Sequence, residues 1–448
     1  MDARSDPPDS ATGTPPTSRG ARAYASSVIG GSVVVALVGT VYRMALQANF
    51  FNDDFHWLFD ARRFEWANLL HLDRYNHFYR PVIEVYFHFA LRVFGCSPAP
   101  FHALSIGLHL VNAWILFLFA RALTASPVTA FAAVLLFCVQ PGYVEAVTWV
   151  GAITDLLPAT WFLLTLFLHL RFLQRHLWAY EAAAFLAFAL CLGTHESAVT
   201  IPPMMVALDL LLHWPARAVD IGAWTRQRVR CYAPFAVALA GFLVVTYVVN
   251  SRSYLVREGH YAVGWHAVPN IFDYLAGLYV GRRRPAWYVG TALVIAAVLR
   301  RGTPRMRFFL VWIVVALLPA SFFTWGTASR YLYVPAAGFA LLLADLAVAG
   351  CLRAVRARMP PLVANGLTVL VVGVLVARFA MFAHGAVRGF RDLTRPYDRF
   401  VSAVRSAPGA SLGQLYVSPQ DVAGIEAIYV DPAAETALCA AGVHVVVR

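Results

Sequence analysis

Two adjacent carboxylates, Asp53 and Asp54, follow directly after the first long apolar segment of the chain. Charged groups at the end of a membrane helix are costly to hold, and they mark functional sites more often than packing contacts. One carboxylate of such a pair can act as a general base. The pair can also hold a divalent cation such as Mg²⁺ or Mn²⁺, for which the predicted ligands are Asp54 and Glu196. The alternative is that both acids cap a helix at the membrane interface.

Four more charged residues are candidates for binding a donor phosphate or another part of the substrate. Arg80 and Glu84 lie near the same predicted membrane face. An Arg there can clamp a phosphate, or it can be an interfacial side chain whose stem lies along apolar surface. Glu145 and Asp155 lie at the outer end of a predicted helical hairpin. They can order the aspartate loop or line the acceptor site, or they can be solvated loop charges.

Two later groups complete the candidate site. His195 and Glu196 lie between two apolar segments that have almost no loop between them. They can contact a metal or the donor, or they can cap a turn; the second His of the H-E-x-x-H zinc motif is missing. Arg330, Tyr331 and Tyr333 suit a lipid-linked phosphate at the membrane surface. The alternative for this group is an aromatic-belt anchor.

The composition is that of a membrane protein. The chain has 448 residues, of which 60% are hydrophobic and 13% charged, whereas soluble domains carry about 25% charged residues. The net charge of +12 comes from Arg alone, because the chain has no Lys. A nucleic-acid binder could carry such a charge, but the Arg residues cluster in short loops between apolar segments, as the positive-inside rule requires. We therefore expect membrane lipids around the chain and no nucleic acid.

The apolar segments predict an all-α polytopic membrane protein with about eleven transmembrane helices and a cytoplasmic N-terminus. Segment 81–95 is too short to cross and is predicted to lie at the membrane surface, which puts Asp53 and Asp54 outside. Region 251–285 is predicted to be an outer loop, and His109 and Asn112 are predicted to form a helix–helix contact. The predicted spans are 25–47, 101–121, 127–141, 156–172, 178–193, 197–214, 231–250, 286–299, 308–325, 331–350 and 361–382.

The two ends of the chain differ from this membrane domain, which we place at 25–383 with an outward loop at 49–100. Residues 1–24 are predicted to be a disordered cytoplasmic segment. Residues 384–448 are predicted to form a small extracytoplasmic α/β tail with three strands and one helix. The predicted strands are 413–417, 425–430 and 443–447, and the helix is 433–441. None of the six Cys forms a C-x-x-C pair, so neither a zinc site nor a disulfide framework is expected.

Five motifs in this order resemble the GT-C class of integral-membrane glycosyltransferases, and the resemblance covers about residues 25–350. Within that class the chain is most similar to protein O-mannosyltransferases and to the membrane half of the transmembrane and tetratricopeptide-repeat proteins. It departs from the latter at Gln140 and His195, where they usually have His and Lys, and it lacks their repeats. The motifs are Asp53-Asp54, Tyr79-Arg80-Pro81-Val82, the stretch Gln140–Trp149, the stretch His195–Pro202 and Arg330-Tyr331-Leu332-Tyr333.

The resemblance implies an inverting transfer of a sugar from a polyprenyl- or dolichyl-phosphate donor to a hydroxyl group of a protein, glycan or lipid acceptor. The active site would face outward from an inner or plasma membrane. The resemblance also implies that Asp53 or Asp54 is the general base and that Arg80, Arg330 and Tyr331 lie near the donor. Two other functions stay open, namely a transporter or flippase of a lipid-linked substrate and an inactive membrane scaffold.

Overall fold

Apolar α-helices make up most of the structure, because a chain inside a bilayer must satisfy its backbone hydrogen bonds within each segment. The structure, a computed structural model, describes residues 17–72, 78–213, 221–280, 286–350, 359–407 and 414–447. In chain order, the helices up to the middle of the chain are α1 (Thr17–Tyr42), α2 (Asp53–Arg62), α3 (Pro81–Phe94), α4 (Pro98–Thr124), α5 (Pro127–Cys138), α6 (Val144–Thr148), α7 (Ile153–Arg175), α8 (Trp178–Leu192) and α9 (Ile201–Leu212).

The second half continues this pattern and ends in a small α/β unit. Its helices are α10 (Ile221–Asn250), α11 (Tyr254–Arg257), α12 (Ala267–Val280), α13 (Ala286–Arg301), α14 (Pro304–Ser321), α15 (Tyr333–Ala344), α16 (Pro361–Leu393), α17 (Arg395–Ser406) and α18 (Ala427–Leu438), with strands β1 (Gln414–Val417) and β2 (His444–Val447). Short 3-10 helices occur at Arg43–Gln47, Trp66–Leu70, Pro141–Tyr143, Glu196–Thr200 and Ser329–Leu332.

Seven helical segments among the described residues are long and apolar enough to cross a membrane. An eighth span results if the bent pair Pro127–Cys138 and Pro141–Thr148 crosses as one unit. The predicted polytopic all-α fold is therefore confirmed. The seven segments are Val28–Gln47, Pro98–Thr124, Ile153–Arg175, Ile221–Asn250, Pro304–Ser321, Ser329–Val348 and Pro361–Ser406.

Three of the predicted spans are shorter helices in the structure. They are α8, α9 and α13, which have 15, 12 and 16 residues. At about 1.5 Å per residue, such helices reach roughly 18–24 Å, less than the ~30 Å of a bilayer core. Helix α3, which the sequence places at the membrane surface, has 14 residues and is not among the seven spans.

The centre of the bundle is formed by α4, α5, α7, α14 and α15, which pack on one another. Buried polar groups join these helices. Asn112 Nδ2 donates hydrogen bonds to the Leu156 carbonyl and to the Tyr333 hydroxyl, both at 3.1 Å. That hydroxyl lies 2.7 Å from Nδ1 of His109. The predicted helix–helix contact of His109 and Asn112 is thus confirmed.

The predicted outer loop 251–285 is largely structured, which corrects the sequence interpretation. It contains α11 and α12, and α12 packs on α13 and α14. Tyr274 and Ala276 of α12 are fully buried. The polar Asn270 and Asp273 interrupt its apolar sequence, so the segment was too short and too polar to stand out as a helix. Residues 281–285 at the end of this predicted loop lie outside the described residues.

The tail has one strand fewer than predicted. Strands β1 and β2 pair in parallel, with Leu415 opposite Val445. The predicted strand 425–430 is wrong, because most of this apolar run forms the start of α18, which begins before the predicted helix 433–441. A six-residue apolar run does not distinguish a strand from a helix. At the other end of the chain, α1 begins at Thr17, within the predicted disordered segment, whose residues 1–16 lie outside the described residues.

The expectation of no disulfide is also wrong. Cys96 and Cys439 form a disulfide with their Cα atoms 5.7 Å apart, although they are 343 residues apart in sequence. Pairing depends on this spatial proximity, and no sequence spacing reveals it at such a separation. The bond links the tail to the turn between α3 and α4.

Candidate functional site

Asp54 connects the loop that carries the two aspartates to the segment before α7 through hydrogen bonds. It lies in the first turn of α2 and is fully buried. One carboxylate oxygen accepts a hydrogen bond of 2.8 Å from the Phe51 amide, and the other accepts one from the Gly151 amide. A Cβ at Gly151 would lie 2.9 Å from this second oxygen, so only glycine allows the approach. Burial raises the pKa of Asp54 well above its ordinary value, although the two amides oppose the shift.

Asp53 differs from its neighbour because it is exposed. Consecutive helix positions point about 100° apart, so one carboxylate can face the interior while the next faces solvent. Asp53 Oδ1 accepts a hydrogen bond of 2.6 Å from the hydroxyl of Tyr429, in the tail. The neighbouring residue, Asn52, accepts a hydrogen bond of 2.7 Å from the hydroxyl of Tyr397, which is also in the tail. The tail therefore lies directly over the aspartate loop.

Arg80 and Glu196 form a partly buried ion pair between the N-terminal ends of α3 and α9. Both Nε and Nη2 of Arg80 donate to Oε2 of Glu196, at 3.2 and 2.7 Å. The guanidinium also lies 4.0 Å from the centre of the Phe78 ring. Burial alone would raise the pKa of Glu196, but the charge and the hydrogen bonds of Arg80 hold it below its ordinary value.

His195 is neutral and has a defined tautomer. Its Nδ1 accepts a hydrogen bond of 3.0 Å from the Ser197 amide, so the proton of the ring is on Nε2. This nitrogen lies 3.8 Å from Oε2 of Glu196. Burial, together with the positive charges of Arg80 and Arg330, lowers the pKa of His195 to about 3, although Glu196 opposes the shift.

Arg330 is the centre of the second charged group. Its Nη1 donates to Glu145 Oε1 at 2.8 Å, and its Nε lies 3.5 Å from Asp155 Oδ2. The guanidinium also covers the rings of Trp149 and Tyr331, at 5.1 and 4.8 Å from their centres. The group thus combines one guanidinium, two carboxylates and two aromatic faces.

The two charged groups and the aspartate loop belong to one site. Asp155 interacts electrostatically with Arg80 and Glu196 as well as with Arg330. Trp149 joins this network to the loop, because its indole N–H donates to the Phe51 carbonyl at 3.0 Å while its ring contacts Arg330. Most of the predicted site residues are therefore neighbours through one or two contacts.

Two predicted substrate-binding residues lie elsewhere. Tyr333 is only 1% exposed and belongs to the core network described above. Two helical positions correspond to about 200° of rotation, so Tyr333 points away from the face that carries Tyr331. Glu84 faces α2, where it lines a small cavity together with Trp57 and Phe64.

Three tyrosines near the site carried no sequence signal. Tyr429 bonds to Asp53, as described. Tyr86 of α3 lies close to Asp54, and its hydroxyl has no hydrogen-bond partner among the described residues. Tyr261 lies near Glu196 and Tyr331. All three sit far in sequence from the acids they approach.

The predicted divalent-cation ligands, Asp54 and Glu196, both have protein partners in this arrangement. Backbone amides occupy both oxygens of Asp54, and Arg80 is paired with Glu196. Within the described ranges, no three His, Cys, Asp or Glu side chains are grouped so as to hold a metal ion. No step of the mechanism proposed below passes through a metal.

The helical bundle has the fold of the GT-C class of membrane glycosyltransferases. The chain is similar to ArnT from Cupriavidus metallidurans, whose crystal structure is bound to undecaprenyl phosphate, with a TM-score of 0.55 and 13% identity over 94% of this chain and 86% of ArnT. A second structure, the Archaeoglobus fulgidus oligosaccharyltransferase tethered to an acceptor peptide, gives a TM-score of 0.48 and 12% identity, over 85% of this chain and 58% of that one.

One curated protein adds a resemblance in sequence. Over 133 residues the chain is 28% identical to Protein O-mannosyl-transferase Tmtc1 of Drosophila melanogaster. The matched stretch is 30% of this chain and 16% of the fly protein, so the chain spans a small part of that relative. No family model matches the chain. The chain is thus an integral membrane protein of GT-C type that resembles O-mannosyltransferases, as its motifs predicted.

Proposed function

We propose that this protein is an inverting glycosyltransferase that moves a sugar from a polyprenyl-phosphate donor to an acceptor hydroxyl at the extracytoplasmic face. The observation that carries the proposal is the charged network of Arg80 and Arg330, which Trp149 joins to the loop of Asp53 and Asp54. Transfer from a lipid phosphate needs both parts, a base for the acceptor and cations for the leaving group.

The geometry suggests different roles for the two aspartates. Asp53 is exposed, and among the described residues its second oxygen has no hydrogen bond, so it can take the proton of the acceptor hydroxyl. The acceptor oxygen then bonds to the anomeric carbon from the face opposite the phosphate. The bond between that carbon and the phosphate oxygen breaks, and the lipid phosphate leaves with the electron pair. Asp54 is fully buried and supports the loop that holds the base.

The two arginines are suited to the negative charge that develops on the leaving phosphate. Glu196 occupies Nε and Nη2 of Arg80, and among the described residues Nη1 has no hydrogen bond, so it can donate to a phosphate oxygen. Arg330 directs Nη2 toward the Tyr331 hydroxyl at 3.3 Å, which can turn to a ligand. His195 stays uncharged and adds no competing positive charge to the pair of Arg80 and Glu196.

Two facts support the outward face and the lipid donor. The disulfide of Cys96 and Cys439 joins the tail to the aspartate-loop side, and disulfides persist in oxidising compartments outside the cytoplasm. The ArnT structure that shares the fold is bound to undecaprenyl phosphate. The first fact favours a site outside the cytoplasm, and the second favours a lipid-linked donor.

The test uses the purified full chain in nanodiscs with a panel of polyprenyl-phosphate sugars and hydroxyl acceptors. Release of the lipid phosphate and glycosylation of the acceptor are measured for wild type, Asp53→Asn and Asp54→Asn. We expect Asp53→Asn to lose at least about 100-fold in rate, the usual contribution of a positioned general base. Asp60→Asn, on the exposed side of the same helix, serves as the matched control and should keep its activity.

Retained activity in Asp53→Asn would contradict the assignment of the base. Binding of donors without release of lipid phosphate from any of them would instead favour a transporter or flippase, which moves its substrate without breaking a bond. An Asp54→Asn variant that inserts normally but loses activity is expected as well, because its loop loses a buried support.

A further inference from the structure

The tail contacts the exposed carboxylate of the site directly. Tyr429 lies in the first turns of α18, is only 7% exposed, and donates its hydroxyl proton to Asp53 Oδ1 at 2.6 Å. The two residues are 376 positions apart in sequence. Burial and the hydrogen bond to Asp53 both raise the pKa of Tyr429 above its ordinary value, so the phenol keeps its proton and remains a donor at physiological pH.

The same tail helix is also fixed to the other end of α2. Glu435 pairs with Arg62 at 3.7 Å and with Arg63 at 3.3 Å, and Arg62 Nη1 donates to the carbonyl of Ala440 at 3.0 Å. The ring of His56 lies 5.0 Å from the ring of Tyr429 between these two ends. Helix α18 therefore lies along α2 and holds it at both ends.

A disulfide holds the tail in this position. Cys439 directly follows α18, and its bond to Cys96 ties the helix to the turn that follows α3. Two further hydrogen bonds join α17 of the tail to residues that precede the aspartates in the chain. Tyr397 donates to Asn52, and Asp398 accepts from Asn49. The tail is thus attached before, at and after the exposed aspartate.

We infer that the tail is part of the active site and that Tyr429 is a positioning residue, which fixes the carboxylate of Asp53 toward the acceptor. An exposed Asp otherwise samples several rotamers, and a base that must be ordered in each turnover is slower than one already in place. This inference rests on the proposed glycosyl transfer for its kinetic consequence, while the contact itself can be tested without it.

The kinetic test is Tyr429→Phe in the full chain, in nanodiscs, with the donor that wild type uses. The variant keeps the ring and loses only the hydroxyl. We expect kcat to fall about tenfold, the usual effect of losing one hydrogen bond to a charged group, while KM for the donor stays unchanged. Tyr416→Phe changes an exposed tyrosine of β1 in the same tail and is the matched control.

The contact test labels carboxylates with a water-soluble carbodiimide and an amine, and peptide mass spectrometry then compares Asp53 with Asp421 of the tail, whose hydrogen bond is to Ser418 rather than to Tyr429. Tyr429→Phe should label Asp53 at least about twofold faster than wild type or Tyr416→Phe, because its carboxylate has lost its partner. Unchanged labelling would overturn the inference. Faster labelling with an unchanged kcat would overturn the positioning role alone. If wild type transfers no sugar, the proposed function fails, and the labelling still decides whether Tyr429 holds Asp53.

Discussion

The charged side chains of the site form ion pairs with residues that lie far away in the chain, as Arg80 does with Glu196 and Arg330 with Glu145. The sequence singles out Arg80, Glu196 and Arg330 because charged residues beside apolar segments are rare and costly. It does not predict that Arg80 pairs with Glu196, since the two lie 116 positions apart. The sequence also does not predict the orientation of Tyr333, because a motif does not state which side of a helix each of its residues faces.

At the residue scale, the planar guanidinium of Arg330 should matter more than its charge. It donates to Glu145, lies near Asp155 and covers two rings at once. Lys can replace the charge but not this fork. We expect Arg330→Lys to lower kcat/KM for the donor by about 10–100-fold, the range for charge-assisted hydrogen bonds. Arg395→Lys, at an exposed pair with Asp392, should leave kcat/KM unchanged; an equal loss there would contradict the prediction.

At the same scale, we expect His195 to make the stability of the protein depend on pH. Its pKa is about 3 in the folded protein and 6.5 ordinarily. Between these values the unfolded chain binds more protons, so His195 costs stability as the pH falls from 6.5, and it costs nothing above that. His195→Gln removes this loss. We expect the Tm of wild type to fall relative to that of His195→Gln as the pH is lowered from 7.5 to 5.

At the scale of elements, the sequence is enough to predict the long apolar helices, but it is not enough to predict the short helices. Long apolar runs can do little except span the membrane, so their positions follow from composition. Helix α12 mixes apolar and polar residues, and the start of α18 is a short apolar run that could also be a strand. The structure of both depends on the neighbours they pack against. The tail therefore appeared as a separate appendage, whereas it lies on α2 through contacts that only the fold creates.

The attachment of the tail predicts a simple result in thiol counting. Cys96 and Cys439 are joined, while Cys138, Cys191 and Cys231 are free and buried. Protein denatured in detergent should react with a maleimide–polyethylene glycol at two more cysteines after reduction than before. Cys439→Ala should remove that difference and leave one extra thiol, at Cys96, in both conditions. Equal counts for wild type with and without reductant would show that the bond does not form.

At the scale of the whole molecule, one surface of the bundle should be outside and the other inside. The site, the tail and the disulfide all lie at one end, and the turn between α13 and α14 lies at the other. A membrane-impermeant maleimide applied to intact cells should label Gln420→Cys in the tail and leave Arg301→Cys unlabelled until the membrane is opened. Labelling of Arg301→Cys in intact cells would reverse the proposed orientation.

The disulfide also constrains how many times the chain crosses the membrane. Since Cys96 and Cys439 touch, they lie on the same side, and the chain between them must cross an even number of times, whichever side that is. Six of the seven long segments follow Cys96. If the bent pair is counted as one more span, the number of crossings between the two cysteines becomes odd. The shorter helices α8, α9 and α13 bring it to ten. Parity thus excludes every topology with an odd number of crossings between the two cysteines, and it accepts the six long segments alone as well as all ten helices together.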